Sequence, residues 1–360
     1  MSLLEINKEN FSKKFLDINN LSVELANFEL KNLNLKIEGH SYVVILGKIA
    51  SGKSVLLKTI AGFFTPKSGE IWLDGKKISE LPPHKRGVGY VPQHNDLFPH
   101  MTVRENIVFP LKVRGDKNAL KSCDELIGLF ELRKIADRNV NNLSGGERKK
   151  VAIARAIAAN PKILLLDEPF GMLDEPARDI IREIIREIHN KLKITIIHVS
   201  HDRNDAWELG KFCAIMENGT ITQFGKTAEV FRNPNSHIIA DFTGCKNIFP
   251  ARFESKNQNF SIADIGELKL DLSKKIEFSS GFVAIRPEMI KFFDIPEKSA
   301  PNLFPAKILS IHDKGEFCEI RAIIQGIEFS TYCSHPEALR LKNSPVLYLQ
   351  IEPEHIHCIL

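Results

Sequence analysis

The sequence predicts an α/β protein in two parts: a mainly parallel sheet covered by helices, then a small all-β barrel. Three observations carry this. Short runs at residues 43–46, 163–166 and 194–199, wholly apolar but for Thr195 and His198 in the third, have the character of strands covered on both faces. Helical patterns separate those runs. From Asn247 onward the pattern changes to short alternating stretches divided by Gly, Pro and Ser. A length of 360 residues suits two domains, or three at most. The expected domains are 14–242, with a helical subdomain at about 95–160, and 243–360.

Taken in order, residues 14–38 read as two or three strands with alternating apolar positions. The run 43–46 enters a Gly-bounded loop and then a helix over 54–61. Residues 118–130 and 147–159 read as helices, the second closed by Pro161. Asp174 has the position of an N-cap, with Pro176 in the first turn. Ile180, Ile181, Ile184, Ile185 and Ile188 define an apolar stripe. Arg178, Arg182 and Arg186, interleaved with Asp179, Glu183 and Glu187, read as its solvated face. Segments 212–216 and 220–224 flank Asn218-Gly219, a hairpin signal. The barrel strands are expected at 248–254, 267–272, 282–286, 305–311, 316–324, 326–332 and 346–351.

Composition narrows the class. Apolar residues are 43% and charged residues 26%, which excludes a mostly disordered chain, a collagen repeat and a disulfide scaffold. The net charge is +4, distributed as +6 through residue 240 and −2 after it. That permits a small polyanion but is not the basic footprint of a dedicated DNA binder, so no nucleic-acid partner is expected. Cys123, Cys213, Cys245, Cys318, Cys333 and Cys358 form no C-x-x-C pair and read as core residues of a reducing compartment. Residues 1–5 show no signal-peptide pattern. No uncharged apolar run approaches the roughly 20 residues that span a bilayer. A membrane role would therefore run through a separate partner.

Gly47-Lys48-Ile49-Ala50-Ser51-Gly52-Lys53-Ser54 fits G-x-x-x-x-G-K-[ST] between a buried strand and a helix. Such a loop turns successive N–H groups toward phosphates at the positive end of the helix. Lys53 is then expected on the β- and γ-phosphates, and Ser54 on Mg²⁺. The second buried strand ends in Asp167-Glu168. Asp167 suits the Mg²⁺ shell, and Glu168 is placed to orient or deprotonate an attacking water. Leu143-Ser144-Gly145-Gly146-Glu147 opens another helix and forms a second phosphate-type N-terminus. One centre rarely needs two such loops from one chain, so this one is expected to serve nucleotide bound to another copy.

With these motifs the chain resembles the ATP-binding subunits of ABC transporters, in which L-S-G-G is the family signature. The resemblance spans residues 15–240. It implies ATP and Mg²⁺ as cofactors. It identifies Gln93 as the Q-loop glutamine, a Mg²⁺ and water contact. Asp174 in Gly171-Met172-Leu173-Asp174 matches the D-loop aspartate, and His201 the switch histidine on the γ-phosphate. His198, three residues earlier, reads as an ordinary strand residue. Departures exist. Relatives usually carry Gln after the signature Glu, where this chain has Arg148-Lys149-Lys150, read here as a solvated charge run. Gly171 stands where Ser is usual. The ring that normally stacks on adenine has its nearest matches in Leu25 and Phe28.

Residues 247–252, 285–288 and 354–357 resemble the TOBE-type (OB/MOP-like) regulatory barrel of oxyanion and related importers. The resemblance implies that the barrel binds the imported oxyanion and inhibits transport. Residues 97–103 and 245–248 point to the molybdate/tungstate group, with sulfate, ferric iron, polyamine and sugar importers sharing the architecture. The implied partners are a second copy of the chain, two transmembrane permease subunits and, indirectly, a solute-binding protein. The implied location is the cytoplasmic face of the inner membrane. His355, His357 and Cys358 raise the question of a metal, but alternating His-Ile-His reads more simply as one solvated strand face. Two readings of other classes compete. One is a soluble ABC ATPase acting on nucleic acid or ribosomes, which normally has two cassettes or a long coiled coil. The other is a P-loop kinase, in which the signature and His201 would have no role.

Overall fold

The structure, a computed structural model, describes residues 15–293, 300–344 and 347–360. The leader reading at residues 1–5, the domain start at 14 and the strand start at 346 lie outside these. The chain divides into two compact units, Met1–Val230 and Phe231–Leu360.

In the first unit, β1 (Leu16–Leu25) and β2 (Phe28–Ile37) form a hairpin, so the segment 14–38 resolves into two strands. Then follow β3 (Tyr42–Leu46), α1 (Lys53–Ala61), β4 (Ser68–Leu73), β5 (Lys76–Lys77) and β6 (Val88–Val91). Helices α2 (Val103–Val113), α3 (Ala119–Leu129) and α4 (Gly145–Ala158) pack on one another. The chain then returns through β7 (Ile163–Asp167), α5 (Glu175–Leu192), β8 (Thr195–Ser200), α6 (Arg203–Leu209), β9 (Phe212–Glu217) and β10 (Thr220–Lys226). One sheet has the order β2-β1-β4-β5 and is antiparallel. The other has the order β10-β9-β3-β8-β7-β6, parallel except for β10.

The apolar runs explain the second sheet. Every residue of β3, β7 and β8 is buried, because helix-connected parallel strands are covered on both faces. A core of Leu16, Ile18, Val43, Ile45, Leu57, Leu165 and Val199 ties the two sheets together. The carboxyl ends of β3, β8, β7 and β6 therefore lie side by side, where ligands of open α/β sheets bind.

One face of α5 differs from its sequence reading. Ile181, Ile184, Ile185 and Ile188 are buried, but Ile180 is exposed. Arg182 is buried rather than solvated, between Asp179 at 2.9 Å, Glu208 at 3.3 Å and Asp205 at 3.6 Å. The helix turns an arginine inward because α6 meets it there with two carboxylates.

The second unit contains β11 (Asn247–Ser255), β12 (Ser261–Asp264), β13 (Lys269–Asp271), β14 (Ser280–Ile285), β15 (Ile290–Phe293), β16 (Leu303–Asp313), β17 (Cys318–Ile324), β18 (Ile327–Cys333), β19 (Leu347–Ile351) and β20 (Ile356–Ile359). They form two five-stranded sheets, β13-β12-β11-β14-β20 and β15-β19-β16-β17-β18. One core, including Val283, Ile285, Ile320, Phe329 and Leu349, fills the space between them. The Asn247 side chain clasps both sheets: it donates to Ile285 O at 3.2 Å and Ser330 O at 2.8 Å, and accepts from Ser330 N at 2.7 Å. Arg286 donates to Thr243 O at 3.2 Å and to Phe231 O, anchoring the segment that leads into this unit. His357 is half-buried with Nε2 at 3.0 Å from Pro234 O, and His355 lies 3.5 Å from Glu352. That strand end is therefore packed, and the expected solvated His face is not formed.

Candidate functional site

The loop Gly47–Ser54 leaves β3 and becomes α1 at Gly52. Gly52 has φ +104°, and a Cβ there would stand 2.4 Å from Phe28 Cζ, so both backbone and space require glycine. Ala50 also has positive φ, at 65°, and Ile49 is largely exposed. Ser51 N donates to Lys48 O at 3.2 Å, and Gly219 N, from the β9–β10 turn, donates to Ser51 O at 3.0 Å. The Asn218-Gly219 hairpin thus props the loop from outside. Lys53 is buried, and its ammonium donates to Gly47 O at 2.8 Å and Lys48 O at 2.9 Å. Burial lowers its pKa, while Glu168 and Asp167 act in the opposite direction. A cation held over the loop by its own carbonyls is ready to trade them for phosphate oxygens.

Ser54 Oγ donates to Asp167 Oδ1 at 2.9 Å, and Tyr90 OH donates to Asp167 Oδ2 at 3.0 Å. Burial, then Asp167, push the Tyr90 phenol upward, so it is a fixed donor. Glu168 follows with φ +43°, a left-handed turn that lifts its side chain from the strand end. Its Oε2 accepts from Gln93 Nε2 at 3.2 Å, and its Oε1 lies 3.4 Å from His201 Nδ1. Ser54, Tyr90 and Asp167 form one hydrogen-bonded set and Gln93, Glu168 and His201 another, with Lys53 within electrostatic reach of Asp167 and Glu168; together they come from four neighbouring strand ends. A cleft of about 400 Å³ opens beside it, lined by Glu168, Gly171, Met172, His201 and Arg203.

Ser144, Gly145, Gly146 and Glu147 open α4. Ser144 is exposed and caps α4: its Oγ accepts from Glu147 N at 3.2 Å, and Glu147 Oε2 accepts from Ser144 N at 2.8 Å. Asp174 caps α5, accepting from Ala177 N at 3.1 Å. A Cβ at Gly146 would stand 3.3 Å from that of Ala177, so the α4 and α5 starts are close neighbours. Among the described residues no hydrogen bond joins residues 144–147 to the loop 47–54. Of the adenine candidates, Phe28 lies against Gly52, and Leu25 is its partner across the β1–β2 turn.

The charge run after the signature is not solvated. Arg148 donates to Leu143 O at 2.6 Å, and Lys150 lies 3.7 Å from Glu131. Lys149 is 1% exposed and donates to Gln93 O at 3.2 Å. Burial lowers its pKa to about 8, against the pull of Asp167 and Asp96. The signature helix is thereby tied to the Q-loop backbone, which the sequence could not reveal because the charge lies at an inward helical position. His198 is also interior, with Nδ1 at 3.2 Å from Tyr42 OH; burial, then Arg182 and Lys149, hold its pKa at about 3, so it stays neutral. Tyr90, Lys149 and Arg182 are the residues that reading the sequence missed. Only Tyr90 carried a signal, its place in the strand leading to Gln93.

The Lys149 shift has a measurable consequence. The unfolded chain binds more protons at this group than the folded one between about pH 8 and 10.5, so its contribution makes stability rise with pH there. Below that window the buried charge costs on the order of 3 kcal/mol. Lys149→Gln is expected to gain stability over wild type at pH 7 and to lose that advantage by pH 10. Urea unfolding at both pH values reads the difference; a constant offset would contradict it.

Residues 30–171 match the family described as ABC transporter. The chain is 33% identical over 347 residues, 95% of itself and 99% of the relative, to the molybdate/tungstate import ATP-binding protein WtpC of Pyrococcus horikoshii. It is 41% identical over 232 residues, 64% of itself and 98% of the relative, to the probable sulfate/thiosulfate import ATP-binding protein CysA of Chlorella vulgaris. Among solved structures it is similar to the ATP-binding cassette MJ0796, a dimer in a post-hydrolysis state bound to ADP and Pi. That match has a TM-score of 0.54 and 30% identity, and covers 59% of this chain and 99% of that one.

Proposed function

This chain belongs to the ABC transporter family as an ATP-binding subunit of the import type, and on that premise we propose that two copies hydrolyse ATP between them to drive oxyanion uptake through separate permease subunits. The carrying observation is the divided site. Lys53, Asp167, Glu168 and His201 lie at neighbouring strand ends, while exposed Ser144 caps α4 and, among the described residues, makes no hydrogen bond to the loop 47–54. A head-to-tail pair places residues 144–147 of one copy on the nucleotide held by the other's loop, with Asp174 beside the shared cleft. Neither copy then holds a complete site.

Within that pair, backbone N–H groups of 47–54 and the Lys53 ammonium bind the phosphates. Glu168 accepts a proton from the attacking water, Gln93 holds its carboxylate, and His201 reaches the γ-phosphate. The oxygens of Ser54 and Asp167, already 2.9 Å apart, together with the Gln93 carboxamide, are the hard donors that Mg²⁺ takes. When bound, the ion would neutralise charge on the β- and γ-phosphates. Leu25 and Phe28 border the place for the base.

The cargo reading favours molybdate or tungstate, because the relative of that name aligns along nearly the whole chain, second unit included. Sulfate is the second reading, from relatives named for it. We place the protein at the cytoplasmic membrane face because its relatives are named as import ATP-binding proteins, which act beside a permease; no helix among the described residues is long and apolar enough to cross. The second unit is proposed as the TOBE-type regulatory barrel that senses the cargo. Reconstitution with an oxyanion-importer permease and its solute-binding protein, assaying which solute stimulates ATP turnover, tests the assignment. Stimulation by molybdate or tungstate is expected; stimulation by sulfate alone selects the second reading, and turnover indifferent to every oxyanion rejects both.

A further inference from the structure

The second unit gathers three residues of metal-ligand chemistry from separate segments. Asp313 ends β16, Cys318 begins β17, and the two are cross-strand partners. His335 opens the helix His335–Asn343, just past the end of β18. One ligand atom from each lies within 4.8 Å of the other two. Cys333, which ends β18, is the cross-strand partner of Cys318, so a second thiol borders the group.

Chemistry distinguishes this group from a surface ion pair. His335 Nε2 lies 3.0 Å from Asp313 Oδ1, which also accepts from Gly315 N at 2.8 Å. Both of these side chains are substantially exposed, at 42% and 67%. Cys318 is buried at 4% and Cys333 at 9%. An exposed carboxylate and imidazole thus sit directly above a protected thiol. Lys314 is drawn to Glu319 at 3.4 Å.

We propose that Asp313, Cys318 and His335 bind a borderline-soft divalent cation of the zinc class, with Cys333 or water completing a tetrahedron. Thiolate, imidazole and carboxylate together suit this class, whereas Mg²⁺ prefers oxygen alone. Bond lengths of about 2.0–2.3 Å require ligand atoms somewhat closer than 4.8 Å. Small rotations of the exposed His335 and Asp313 side chains close that gap. Coordination forms a metal–sulfur bond and releases the Cys318 proton to solvent; the His335 Nε2 proton moves to Nδ1 or leaves to solvent as the His335–Asp313 hydrogen bond gives way to two bonds to the cation, and Cys333, where it is the fourth ligand, releases its own proton. The site would staple β16, β17 and the following helix at one end of their sheet.

The experiment titrates Co²⁺ into the purified full-length protein under reducing conditions without nucleotide. Thiolate-to-cobalt charge transfer and tetrahedral visible bands are read, then Zn²⁺ displacement is followed with a chromophoric chelator. One equivalent per chain with a thiolate band is expected. Cys318→Ser should abolish the band, and Cys358→Ser should retain it. The oxygen donors around Ser54 and Asp167 give no such band, so the two sites are separable. His335→Gln and Asp313→Asn alter exposed groups and keep the test open should Cys318→Ser fail to fold; each should weaken binding at least about tenfold. No thiolate band in wild type, a band that survives Cys318→Ser, or unchanged affinity in both exposed variants overturns the proposal.

Discussion

Glu168→Gln slows ATP turnover by about 100-fold or more, the usual scale for loss of a positioned base, while nucleotide binding persists. The geometry isolates the chemistry from the fold. Glutamine keeps one oxygen to accept from Gln93 Nε2, which Glu168 now does at 3.2 Å. It makes no new demand on the backbone at φ +43°. Lys53 keeps its bonds to the loop carbonyls and Ser54 its bond to Asp167, so the phosphates are still bound. What is lost is a carboxylate able to take a proton. Single-turnover hydrolysis with separately measured ATP affinity checks this; turnover near wild type would remove Glu168 from the role of base. The same variant should accumulate the ATP-bound pair, because hydrolysis no longer reopens it.

Ser144→Arg is the second large effect. It should leave ATP binding by the single chain intact and abolish ATP-induced dimers. The substitution costs the α4 cap about 1 kcal/mol, and the exposed position accommodates the longer side chain without overpacking the core. Its guanidinium would occupy the space where the partner's phosphates must approach the helix N-terminus. Closing an open pair from 1:99 to 99:1 needs about 5.5 kcal/mol of differential binding, and that energy has no other evident source than the shared nucleotide. Light scattering of the Glu168→Gln background with and without Ser144→Arg tests it. ATP-dependent dimers in the double variant would defeat the shared-site assembly.

Much of this was legible in the residues. Strands β3 and β7 are built on continuous apolar runs, and the phosphate loop and Asp167-Glu168 follow them directly, so pattern and motif agree. Gln93 and His201 were singled out by the family resemblance alone; the order β8-β7-β6 is what brings them to Glu168. Other features were hidden because they depend on contacts far along the chain. Arg182 looks solvated within α5 and becomes buried only when Asp205 and Glu208 of α6 arrive. Lys149 lies in a run of like charges, and no local pattern says that Gln93 O will meet it. Strands β12, β15 and β20 are four residues long, too short for alternation to be recognised. The Asp313, Cys318 and His335 group is drawn from three segments and has no motif spacing.

The prop beneath Ser51 bears on synthesis. Gly219 N holds Ser51 O, and a Cβ at position 219 would fall 2.1 Å from Glu29 O, so nothing but glycine reaches in. β3 itself is flanked by β8 and β9, both translated long after it. A ribosome-bound chain paused before residue 219 therefore carries the whole G-x-x-x-x-G-K-[ST] text without a finished cradle. Nucleotide capture should begin abruptly, late in elongation, rather than when the motif emerges from the exit tunnel.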